Sequence, residues 1–118
     1  MAVVPKQNFR KYFGVEVPAV DFIYEDEQCV VFDEMKNPQA PVHFLVVPKD
    51  IIPRLMDTND GDERLLGHLL TVAKRAAILK SLDKGFRVVI NEGPHSCQSV
   101  DQFYVQVLGG RMMWFPFS

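Results

Sequence analysis

"NEGPHSCQSVDQFYVQVLGGR", residues Asn91 to Arg111, decides how this chain is read. Its middle alternates: Gln102, Tyr104 and Gln106 fall at every second position, with Phe103, Val105 and Val107 between them. Side chains two apart on a strand share a face. The pattern predicts a strand over 102–108 that runs into Gly109-Gly110, with three polar, non-ionised groups in a row on one face. An amide neither ionises nor shuttles protons near neutral pH, and a phenol has a pKa near ~10. The row is polar, but it holds no group ready to act as a nucleophile.

Working outward, four more runs rich in Val, Ile, Phe and Tyr predict strands: "VDFIYE" (20–25), "QCVVFD" (28–33), "VHFLVV" (42–47) and "RVVIN" (87–91). The break at Asp26-Glu27 suits a tight hairpin. Pro38 and Pro41 bracket a loop, because proline cannot donate to a ladder. One long helix is predicted in "DGDERLLGHLLTVAKRAAILKSLDKG". Leu65, Leu66, Leu69, Val72, Ala73, Ala76 and Leu79 recur there at helical spacing. Asp60 or Asp62 can cap its start, and Gly85 is a plausible stop. A shorter helix is expected near Asn8 to Phe13, and a helical turn at Pro53 to Met56. The reading is a single α+β domain over 1–118, with a five-stranded, mostly antiparallel sheet, one long helix and one short one.

A chain of 118 residues, 47% hydrophobic and 24% charged, can bury a real core as one domain. With a net charge of −2 and no basic run longer than a pair, no nucleic-acid or acidic-lipid partner is indicated. "MAVVPKQNFRKYFG" lacks the apolar core of a signal peptide, and no apolar run approaches the roughly 18 residues of a membrane span. The expected compartment is cytoplasmic and/or nuclear. Cys29 and Cys97 lack metal spacing and are read as free thiols, although a disulfide is open to them. His68 reads as a packing or surface residue of the helix.

The runs "NEG...QSV.....VLGGR", "PQAPVHFLVVPK", "VPA..FIYEDEQCVVFDE" and "ERLLGHLL" agree in order and spacing with one family. The chain resembles the histidine triad nucleotide-binding proteins, in particular their purine nucleoside phosphoramidase branch, from about Phe9 to its end. The resemblance implies a homodimer whose two five-stranded sheets join into ten strands. It also implies binding of purine mononucleotides, and hydrolysis of adenosine 5′-monophosphoramidates through a nucleotidyl-histidine intermediate. The three motif histidines are matched by Gln102, Tyr104 and Gln106, with Tyr104 in the nucleophile's place. A fourth histidine is matched by Trp114, and the one usual after "VPK" by Ile51.

By the same resemblance, Phe9, Phe32 and Leu45 match the apolar residues around the base. Glu34 matches the acidic residue on the ribose but is one methylene longer than the family's Asp. The following "EMKNPQAP" is one residue longer too. Asn91 and Ser99 match phosphate-side contacts, beside a loop stiffened by Pro94-His95. The plainer readings are that the apolar residues belong to any core, that Asn91 and Ser99 serve a turn, and that His43 packs. Met112, Met113, Trp114, Phe115 and Phe117 form an apolar tail that would be costly to expose, and the resemblance sends it across a dimer interface.

The leading expectation is a catalytically inactive domain with no cofactor and no metal. It would act as a dimeric interaction protein, or hold a purine mononucleotide weakly. One alternative is an enzyme with residual or altered phosphoramidase or nucleotide hydrolase activity. Another is a regulatory subunit that forms a heteromer with an active family member.

Overall fold

A computed structural model describes residues 22–35, 37–50, 52–96, 98 and 102–113. The expected helix at Asn8–Phe13 lies outside them, as do Phe9, Ile51, Cys97, Ser99, Trp114, Phe115 and Phe117. Five strands form one antiparallel sheet: β1 (Tyr24–Glu25), β2 (Cys29–Asp33), β3 (Val42–Pro48), β4 (Phe86–Val89) and β5 (Val105–Gly109). Their spatial order is β1-β2-β3-β5-β4, so β4 lies at an edge. The hairpin expected at Asp26-Glu27 is present and pairs Tyr24 with Val31 and Glu25 with Val30.

The predicted strand 102–108 starts three residues late. The backbone N–H of Phe103 donates to Ile52 O at 2.6 Å, which commits it outside the sheet. Regular pairing begins at Val105, opposite Val46, and ends with Gly109 opposite Val42. Gly109 is tight: a Cβ there would lie 2.8 Å from the Leu82 side chain. Gly110 turns away at φ +93, a conformation that glycine adopts at least cost.

The single helix among the described residues that exceeds one turn is α1 (Glu63–Leu79). Its start differs from expectation in one respect. Asp62 holds the N-cap position, as expected, but makes no side-chain capping bond to the helix. Asn59 instead caps a single 3₁₀ turn (Asp60–Asp62) leading into it, where its side chain accepts from Gly61 N and Asp62 accepts from the Asn59 N–H. Its end differs more. The helix stops at Lys80, with Ser81 left-handed at φ 59. Leu82 N–H donates to Ala77 O and Ser81 N–H to Ile78 O, a closed C-terminal lock. Gly85 serves the next turn instead. A non-glycine residue in this conformation carries a steric cost. Ser81→Gly should therefore raise stability, by up to about 1 kcal/mol, read as a shift of the urea midpoint.

Alternation divides the sheet into two faces. Cys29, Val31, Phe44, Val46, Val105 and Val107 pack against α1 through Leu65, Leu69, Val72, Ala73, Ala76 and Ala77. The alanines let the helix approach closely. Leu79 is exposed, and Ala77 takes an inward place instead. The opposite face carries a much smaller cluster of Val30, Phe32, Leu45 and Val47, with Phe22 and Tyr104 against it.

Candidate functional site

Among the described residues no helix covers the second face of the sheet; Tyr104 and Gln106 of the expected site lie there, but the row of three polar groups is broken. Gln106 alone lies within β5, opposite Leu45 of β3. Tyr104 precedes the strand and leans on the Phe32–Leu45 cluster. Gln102 is turned inward and only 1% exposed. Its Nε2 donates to Phe103 O at 3.1 Å and to Asp50 O at 3.4 Å, while its Oε1 has no partner. Gln102 therefore joins backbone segments rather than lining an open surface.

His43 is buried on this face, and its hydrogen bonds fix more than its packing. The Gln39 N–H donates to Nδ1 at 3.1 Å, so Nδ1 must offer a lone pair. In the neutral ring Nε2 then carries the proton. It lies 2.8 Å from Gln106 Oε1 and donates to it. That contact in turn fixes the Gln106 amide, whose oxygen faces His43 and whose two N–H donors face elsewhere. Arg111 Nη2 donates to Gln39 O at 3.1 Å and ties the strand end to the same loop. A chain of hydrogen bonds thus runs Arg111, Gln39, His43, Gln106. The expectation that His43 merely packs missed this link, because Gln106 is 63 residues away.

Two electrostatic facts decide the chemistry. The Tyr104 phenol is pushed up from its ordinary value by burial and then by the negative charge of Glu34. A phenolate nucleophile would need the reverse. His43 has no unengaged ring nitrogen, since its lone pair is taken by Gln39 and its proton by Gln106. Among the described residues, the imidazole on this face, His43, is not free to attack.

Phe32 and Leu45, expected on the base side, lie in one cluster, and the charge of Glu34 is felt at Tyr104. Asn91 is half-buried just past β4. The loop after it is braced by residues not singled out from the sequence. The Glu92 carboxylate accepts from Leu55 N at 2.8 Å and Met56 N at 3.1 Å. Gln98 accepts from Gly93 N at 2.7 Å and donates to Pro53 O at 2.8 Å. Pro94 and His95 sit in an exposed single turn (Pro94–Ser96). Cys29 is a buried free thiol.

Residues 15–113 match the family described as HIT domain. An uncharacterized HIT-like protein of Synechococcus elongatus is 43% identical over 108 residues, covering 92% of this chain and 93% of that protein. A 14 kDa zinc-binding protein of Zea mays is 44% identical over 110 residues, covering 92% and 84%. Among solved structures, a HIT family hydrolase from Legionella pneumophila Philadelphia 1 superposes with a TM-score of 0.80 at 36% identity, covering 86% of this chain and 89% of that one.

Proposed function

This chain belongs to the HIT domain family, and from that premise we propose that it is a catalytically silent member: a dimeric binding protein with a weak purine-mononucleotide site. The observation that carries the reading is the double engagement of His43. The imidazole left on the candidate face is held by Gln39 and Gln106 and cannot serve as nucleophile or base without breaking that chain. Tyr104 stays a neutral phenol at physiological pH because burial and Glu34 both oppose its ionisation.

Binding has better support than turnover. Phe32 and Leu45 are apolar and each only 5% exposed, so they would give a base no more than the floor of a shallow site. The fixed Gln106 amide offers two donors beside Tyr104, which suit an anionic oxygen. They are neutral donors, and a charge-assisted bond to phosphate is worth about 1.5–3 kcal/mol. Replacing imidazole donors by an amide should therefore leave a modest affinity.

Calorimetry with AMP and GMP should give a dissociation constant in the range of ~0.1–1 mM, roughly 4–5.5 kcal/mol. Gln106→Leu should weaken it further. Low-micromolar binding would overturn the weak-site reading in favour of nucleotide sensing. No binding at all, restored by Gln102→His with Tyr104→His and Gln106→His, would place the defect in those side chains rather than in the scaffold.

A further inference from the structure

On the far side of the sheet from the candidate site, the β1–β2 hairpin meets α1 at three side chains of different chemistry. Asp26 Oδ2 lies 2.6 Å from His68 Nε2. The Asp26, His68 and Cys29 donor atoms all lie within 4.8 Å of one another. We propose that Asp26, Cys29 and His68 form a binding site for a single divalent transition-metal ion of the zinc class.

The donor set points to that class. One thiol sulfur, one imidazole nitrogen and one carboxylate oxygen suit a borderline-soft ion, whereas calcium and magnesium take oxygen ligands. The site is also braced as metal sites are. The second carboxylate oxygen, Oδ1, accepts from Gln28 N at 2.7 Å and Cys29 N at 2.9 Å, which fixes the plane of the carboxylate. The Tyr24 hydroxyl donates to Oδ2 at 2.9 Å. Burial works to raise the Asp26 carboxyl, but hydrogen bonds from His68, Gln28, Cys29 and Tyr24 outweigh it and hold it well below the usual carboxylate range.

Access and geometry agree. Cys29 forms a fully buried floor, while the His68 and Asp26 side chains are 25% and 21% exposed. An ion can enter from solvent and keep a water as its fourth ligand. Tetrahedral bonds of about 2.0–2.1 Å to nitrogen and oxygen set those two atoms roughly 3.3 Å apart. The Asp26–His68 contact would open by well under an ångström. The Cys29 thiol, pushed up to about 12 by burial and then by Asp26, gives its proton to solvent as the ion binds.

The test uses the full chain, stripped with chelator and titrated with Co(II) and with zinc alone. One ion per chain should bind, and Co(II) should show the charge-transfer absorption of a cysteine ligand. His68→Gln and Asp26→Asn should each lower affinity by about 10–100-fold or more, and Cys97→Ser should leave both affinity and absorption unchanged. Cys29→Ser should abolish the absorption; should that core variant not fold, the Cys97→Ser spectrum alone assigns the sulfur. Absence of the sulfur band in the wild-type chain would overturn the proposal. So would its loss in Cys97→Ser, or unchanged affinity in both His68→Gln and Asp26→Asn.

Discussion

Purified protein should release no amine from an adenosine 5′-phosphoramidate above a buffer blank, a deficit of about 10⁴-fold or more against a histidine-bearing relative. In cooperating catalytic sets, loss of a single member costs orders of magnitude and loss of the rest adds little. In the reading proposed above, Tyr104 takes the attacking position; its phenol is driven away from ionisation, and the flanking positions are amides. The nearby imidazole of His43 has both nitrogens engaged. The measurement is amine release at micromolar enzyme over hours, for the wild type and for Tyr104→Phe. Turnover that survives Tyr104→Phe would reveal a different nucleophile. Turnover abolished by it would make the tyrosine catalytic. Either result would sink the silent-domain reading.

Light scattering at micromolar concentration should give twice the 13.5 kDa mass of one chain. The reason lies at the sheet edge. Phe86, Val88 and Ile90 alternate along and just past β4 and are 43%, 40% and 37% exposed. Met112 beside that edge is 68% exposed. Among the described residues no strand pairs the outer edge of β4, and an edge strand with an apolar face is a template for another strand. Pairing of β4 with β4 of a second copy would give the ten-stranded sheet. Phe86→Lys with Val88→Lys should remove about 3–6 kcal/mol of burial. That weakens the dimer by roughly two to four orders of magnitude. A wild-type chain that scatters as a monomer would refute the assembly.

Local periodicity carried most of the fold. Phe103, Val105 and Val107 alternate towards the helix as their spacing demands, and Leu65, Leu69, Val72, Ala73 and Ala76 recur on the face that meets them. Local patterns failed where a distant partner decides. Gln102 has the parity of Tyr104 and Gln106, yet it turns inward because the Ile52 carbonyl takes the Phe103 N–H and delays the strand. No spacing rule reveals that bond. Ser81 closes the helix in a conformation usually given to glycine, so Gly85 drew the stop signal four positions too late. The candidate site was legible in its residue types but not in its wiring. His43 and Gln106 are 63 residues apart, and Asp26 and His68 are 42 apart. Each histidine, taken alone, looks like a packing residue.

The unequal thickness of the two sides of the sheet bears on how such a chain can change over generations. Among the described residues, the apolar cluster under α1 has fourteen buried members and the cluster on the other side has four. A large-to-small change under the helix costs about 2–5 kcal/mol, a large part of a small domain's whole stability. Exchanges at positions 104 and 106, on the other side, disturb little of that packing. Shape and chemistry are thus heritable almost separately. A lineage can exchange groups there without ever passing through an unfolded ancestor, at a cost confined to local contacts such as the bond between His43 and position 106.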